Sequence, residues 1–256
     1  MPYVQAQGKK VFYAAHRGGK DGPTLTLIHG AGGSHLHWPT QLRRLPGATV
    51  YTLDLPGHGR SEGRGCDTIA GYAQTVVAFH DALGSEQAII VGHSMGGAIA
   101  QTLALDYPDR VTGLVLVATG ARLRVAPAIL EGIRNDLAGT ADLITRFAWS
   151  PEAPPTLTQL GKEALLKTGA AVLLRDFVAC DNFDVMERLE DIQAPTLVVA
   201  GTVDQLTPLK YAHFLAQRIP AARLAVIEKA GHMVMLERPA EVGKAVQGFL
   251  EEIGAA

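Results

Sequence analysis

The chain has 256 residues, 47% hydrophobic and 19% charged, with a formal net charge of −2 at pH 7. That size and apolar content suit a large α/β domain with a substantial core and exclude a disordered chain. With no basic excess and no Lys/Arg run, no nucleic-acid partner is expected. With no apolar run long enough to cross a bilayer, no membrane partner is expected either.

The amino-terminal MPYVQAQGKKVFYAAHRGG has no apolar signal core, so no secretory leader is expected. The same segment predicts a hairpin, PYVQA and KVFYAA, turning at Gly8. Strands are predicted at TLTLIHG (24–30) and TVYTLDL (49–55), and a helix over 68–84 with Gly84 as its stop. QAIIVGH (87–93) reads as a strand, 96–108 as a helix stopped by Pro108, and GLVLVAT (113–119) as a further strand. These strands are apolar almost throughout, as strands covered on both faces must be. From 121 to 192 the strands cease. Two helical stretches, APAILEGIRNDLAGTADLITRFAW and TLTQLGKEALLKTGAAVLLRDFVA, flank the breaker SPEAPPT. A strand at 195–201, a helix at 208–219 opened by Pro208 at its first position, a strand at 223–231 and a helix at 239–253 complete the chain. The expected fold class is α/β, a mostly parallel, doubly wound sheet. Residues 1–120 and 193–256 would form its core, and 121–192 a helical cap over the sheet edge where such folds bind ligands. Cys66 and Cys180 lie far apart and form no CxxC pair, so a disulfide framework is not expected and a reducing, cytoplasmic location is.

Gly92-His93-Ser94-Met95-Gly96 matches G-x-S-x-G between an apolar strand and a helix. In that context the motif places a nucleophile on a strained turn, with small residues two before and two after it. A serine hydroxyl needs a base, and the base needs an orienting acid. His232 lies in a loop after the last predicted strand, at the same sheet edge as Ser94, whereas His213 and His80 fall on helices. Asp204 follows the strand 195–201 and is the candidate acid, the alternative being a plain helix cap. Asp54, in LDLPGHGRS, reads as a structural residue capping nearby backbone N–H groups. The backbone N–H of Met95, at a helix N-terminus, is a candidate oxyanion donor, and the loop His29–Gly33 is the candidate source of a second. His35 and His37 lack the carboxylate and third ligand of a catalytic zinc site, so no metal and no cofactor are expected. Phe147, Trp149 and Phe177 are candidates for an apolar pocket, and Arg122 and Arg124 for solvated surface residues or a substrate carboxylate clamp.

Taken together, LIHGAGG, LDLPGHGRSEG, VGHSMGG, GTVDQLTP and AGHMVMLERP, in that order, resemble the α/β-hydrolase fold family over residues 10 to 253. The resemblance implies Ser94 as nucleophile, Asp204 as acid, His232 as base, and the backbones of Ala31 and Met95 as oxyanion donors. It implies a carboxylesterase-like serine hydrolase acting on a small-molecule ester through an acyl-enzyme. Within the same family it leaves a carbon–carbon bond hydrolase, an enol-lactonase, a perhydrolase, or a small-molecule receptor with an intact triad as alternatives. Neither the natural ester nor the oligomeric state is legible.

Overall fold

The computed structural model describes residues 2–19, 22–220 and 222–255. Eight strands, β1 (Tyr3–Ala6), β2 (Lys9–Arg17), β3 (Thr24–Ile28), β4 (Thr49–Leu53), β5 (Ala88–His93), β6 (Val111–Val117), β7 (Thr196–Gly201) and β8 (Ala222–Ile227), form one sheet in the order β1-β2-β4-β3-β5-β6-β7-β8. β1 and β2 form the expected hairpin, whose turn residues Gln7 and Gly8 both take positive φ, 50° and 73°. β2 pairs antiparallel with β4, and every later pairing is parallel. The order runs outward in both directions from β3, so the sheet is doubly wound. Its switch point lies between β3 and β5, where the crevice at the strands' C-terminal ends opens.

The strand sequences explain the two layers. Every residue of β5 and of β7 is buried. Because successive side chains alternate between faces, Ile90, Leu114 and Leu116 enter one core, and Ile89, Val91, Val115 and Val117 the other. Helices α1 (Thr40–Arg43), α2 (Ile69–Leu83) and α3 (Met95–Asp106) join the early strands. α2 is capped by the Thr68 side chain, and it ends at Gly84, φ 64°, as its sequence predicts. α3 is buried from Met95 through Ala104, on all sides, between the sheet and its neighbouring helices.

Four helices follow β6: α4 (Pro127–Asn135), α5 (Leu137–Ala148), α6 (Pro155–Thr168) and α7 (Ala170–Asp181). The two helical stretches predicted there are thus each divided. Asp136 accepts from the Gly139 N–H and starts α5 afresh, and Gly169, φ 81°, separates α6 from α7. Ile133, Ala141, Ile144, Leu165 and Leu173 give these helices a small core of their own. After β7 come α8 (Leu209–Arg218), then α9 (Val234–Glu237) and α10 (Pro239–Glu252). Pro208 stands just before α8, one position earlier than predicted, with ψ at 151°. Among the described residues no helix is long and apolar enough to cross a membrane.

Candidate active site

Ser94 is the hinge between β5 and α3. Its φ of 52° and ψ of −115° are unusual for a side-chain-bearing residue and cost about 1–3 kcal/mol. Neighbouring β6 and its exit hold that conformation. The Ser94 N–H donates to Val117 O at 3.0 Å, and the Thr119 hydroxyl donates to Ser94 O at 2.8 Å. The turn also needs its glycines: a Cβ on Gly92 would lie 2.1 Å from Gly96 O.

His232 follows β8, and Asp204 follows β7; both are buried. His232 Nδ1 lies 2.9 Å from Asp204 Oδ2. A carboxylate only accepts, so Nδ1 carries the proton and Nε2 is left as an acceptor. Burial alone would raise the Asp204 carboxyl, but adjacent His232 and the donors around it hold it below the usual carboxylate range. Those donors are the N–H groups of Leu206 and Thr207 to Oδ1, at 2.8 and 2.9 Å, and the Thr207 hydroxyl to Oδ2, at 2.7 Å. Asp204 thus uses both oxygens: Oδ1 ties down the loop before α8 and Oδ2 faces the imidazole, while α8 itself starts after Pro208 with no side-chain cap.

Further residues fix the imidazole's backbone. His93 Nε2 donates to His232 O at 3.0 Å, and burial keeps His93 neutral well below the ordinary histidine range. Glu237 accepts from the N–H groups of Gly231 and Ser150, at 3.1 and 3.2 Å, which binds the His232 loop to the end of α5.

Ala31 lies in the loop after β3, across the switch point from Ser94. The carbonyl of Gly30 accepts from the Gly33 N–H at 3.1 Å and from His29 Nδ1 at 2.8 Å. His29 Nε2 takes the Leu55 N–H, which leaves the proton on Nδ1. In a trans peptide the N–H is opposed to the C=O. Holding Gly30 O from behind therefore turns the Ala31 N–H outward. Among the described residues neither the Ala31 nor the Met95 N–H donates to a backbone carbonyl.

Ser94, His232, Ala31 and Gly30 share the wall of a cavity of about 450 Å³. Helices α5 to α7 contribute Ile144, Phe147, Leu165 and Phe177, and Trp149 follows α5 directly, so the three aromatic residues expected at a pocket all line it. His37 also lines it, and burial drops its pKa to about 4. Arg124 reaches the same wall, its Nη1 on Asp181 O at 3.1 Å, while Arg122 faces Asp184 at 3.7 Å. Asp54 is structural, as its loop suggests: it accepts the N–H groups of His35 and Arg60 at 2.7 and 2.9 Å. Cys66 and Cys180 are unpaired, and burial pushes both thiols up, away from thiolate chemistry. Among the described residues no group of three His, Cys, Asp or Glu side chains is placed to hold a metal ion.

Sequence reasoning missed Thr207, Glu237 and the anchoring role of His93. The first had a signal, since an aspartate side chain at a turn reaches backbone N–H groups two and three residues on. The anchoring by His93 and Glu237 is tertiary and had none.

The chain is similar to a pimeloyl-[acyl-carrier protein] methyl ester esterase of Neisseria meningitidis serogroup B, 31% identical over 88% of this chain and 92% of that protein. It is similar in structure to a thermophilic esterase, with a TM-score of 0.87 and 35% identity over 99% of this chain and 98% of that one. It also matches a polyketide synthase of Burkholderia thailandensis, 34% identical over 92% of this chain, of whose length it spans only 12%. A family model described as the alpha/beta hydrolase family matches residues 27–245. That match takes in both the strand-to-helix turn at Ser94 and the loop of His232, and the chain belongs to the α/β hydrolase family.

Proposed function

We propose that this hydrolase cleaves small carboxylic esters through an acyl-enzyme, with Ser94 as nucleophile, His232 as base and Asp204 as its orienting acid. Residues 1–120 and 193–256 serve as the hydrolase core, and 121–192 as the cap that shapes the pocket. The observation that carries the reading is Ser94 on its strained turn, facing the same cavity as a histidine whose Nδ1 is 2.9 Å from a buried carboxylate.

Ser94 Oγ attacks the ester carbonyl while its proton passes to His232 Nε2. The imidazolium so formed is stabilised by Asp204, and the oxyanion is met by the N–H groups of Ala31 and Met95, the latter at the start of α3. Collapse expels the alkoxide, which takes the proton from His232. Water then repeats the sequence: it loses a proton to His232, attacks the acyl carbon, and Ser94 leaves with that proton as the free acid departs. Atoms and charges balance without a metal or organic cofactor. Esterases among its similar proteins support an ester as substrate, and the mostly apolar cavity an uncharged one. The two unpaired cysteines support a cytoplasmic setting.

The test is turnover of p-nitrophenyl acetate and butyrate beside an enol-lactone, a ring-cleavage dienoate and peroxide. Multiple turnovers of the simple esters are expected, with Ser94→Ala losing on the order of a thousandfold or more. A single acylation without turnover would point to the receptor alternative. Preference for the lactone or dienoate would move the substrate class within the same chemistry.

A further inference from the structure

Asp176 lies in the middle of α7, yet its carboxylate makes its bonds on the sheet side of the molecule. It is fully buried. Oδ2 accepts the Gly32 N–H at 2.8 Å and faces His58 Nε2 at 2.8 Å, while Oδ1 takes the Tyr72 hydroxyl in a short hydrogen bond. His58 is itself fully buried. Burial would lower its pKa, but the Asp176 carboxylate raises it above the ordinary histidine value.

Gly32 immediately follows Ala31, and the helices after β6 hold it in three ways. Asp176 of α7 binds its N–H. Thr168, at the end of α6, donates its hydroxyl to the Gly32 carbonyl at 3.0 Å. Leu165 and Leu173 pack so closely on it that a Cβ there would lie 2.6 and 2.9 Å from their methyl carbons. Gly32 has φ 66°, which a side-chain-bearing residue adopts only with strain. The peptide planes on both sides of Gly32 are therefore clamped by α6 and α7, just as the plane before Ala31 is clamped by His29.

We propose that Asp176 is a positioning residue of the reaction: through the Gly32 N–H it sets the direction of the neighbouring Ala31 N–H, so the inserted helices complete the oxyanion hole as well as lining the pocket. The inference rests on the acyl-transfer reading of Ser94 and Ala31. A misplacement of about 1 Å in such a donor costs on the order of a hundredfold in rate.

Four variants and two readouts test it: kcat and KM for p-nitrophenyl acetate, and the urea unfolding midpoint. Asp176→Ala removes the acceptor for Gly32, and kcat falls on the order of a hundredfold while KM stays within about threefold. Asp176→Asn keeps an oxygen for the Gly32 N–H and restores kcat to within about tenfold of the native value. Thr168→Val, which releases the other plane, lowers kcat several-fold. Tyr72→Phe breaks a bond to the same carboxylate but leaves Gly32 held; it lowers the urea midpoint with kcat changed by less than about threefold. A folded Asp176→Ala with native kcat overturns the inference, as does a Tyr72→Phe that slows the reaction as much as Asp176→Ala. If Asp176→Ala does not fold, Thr168→Val decides, and an unchanged kcat there overturns the inference. Turnover that survives Ser94→Ala would instead remove the esterase reading itself. Ser94-dependent turnover with Asp176→Ala unimpaired removes only this inference.

Discussion

Gly96 sits where α3 crosses the end of β3, and its replacement by alanine links packing to rate. A Cβ built on it would lie 2.1 Å from Ile28 O and 2.8 Å from His29 O. Both are backbone atoms, so no rotamer change relieves the contact. To reach even 3.0 Å from Ile28 O, the helix and the strand end must separate by about 0.9 Å, the difference between 3.0 and 2.1. Residues 28 and 29 lead directly into the loop that carries Ala31, and Met95 is the residue before Gly96. The shift therefore spreads the two N–H groups assigned to the oxyanion. Overpacking of this kind costs about 1–3 kcal/mol of stability, and a displacement near 1 Å costs on the order of a hundredfold in kcat. Urea denaturation and p-nitrophenyl acetate kinetics measure both. Gly248→Ala is the control, because nothing lies within 4 Å of a Cβ there. It should leave kcat unchanged and hold or slightly raise stability. If Gly96→Ala kept kcat within about threefold and lost no stability, the link between the turn's clearance and the oxyanion geometry would be refuted.

Asp204→Asn keeps the shape of the buried pair but offers an amide where Nδ1 needs an acceptor. kcat should fall on the order of ten-thousandfold at neutral pH with KM little changed, and a loss under about tenfold would free His232 from this partner. Stability should rise to a maximum above pH 6.5, the ordinary histidine value, as thermal melts across pH 4–9 will show, because at that pH four lowered histidines still outweigh one raised histidine. Below it, the unfolded chain takes up protons that buried His80 and half-buried His37, both lowered to about 4, refuse in the fold. Each contributes up to about 1.4 kcal/mol of lost stability per pH unit at the steepest, and His29 and His93 add in the same direction. Above it, His58, raised by Asp176, keeps its proton in the fold after the unfolded chain has lost it, so its contribution fades as pH rises through the folded value. A flat profile from pH 5 to 9 would contradict this balance. Finally, each added acyl methylene buried in the apolar cavity gains about 0.8 kcal/mol, so butyrate should exceed acetate on the order of tenfold in kcat/KM. Ile129→Phe, on the cavity wall, should erase that gain while sparing acetate; equal losses for both esters would remove Ile129 from the acyl pocket.

The parts of this fold that were legible in the sequence are those set by local rules. β5 and β7 read as strands because both faces are covered and, apart from His93 at the end of β5, every residue is apolar or small. The turn at Ser94 read correctly because its glycines report a close approach that a Cβ would block. Gly84 marked the end of α2 by its left-handed conformation, while the Thr68 side-chain cap at its start is seen only in the fold. The four inserted helices were less legible. Asp136 and Gly169 lie within continuous helical periodicity, and a cap or a positive φ at one residue divides it. Asp176 was not legible at all. Its partners Gly32, Tyr72 and His58 lie 144, 104 and 118 residues away, so only the folded chain brings them together. The pocket was legible as a composition of aromatic and aliphatic residues, but not as a shape.

The most direct test of the central claim is to react the protein with a fluorophosphonate and map the adduct by intact and peptide mass spectrometry. One phosphonyl group per chain, on Ser94, with loss of ester turnover in proportion to labelling and strongly slowed labelling in His232→Ala, is the predicted result. Stoichiometric labelling at any other residue, or full turnover after Ser94 is modified, would contradict the assignment of Ser94 as the nucleophile.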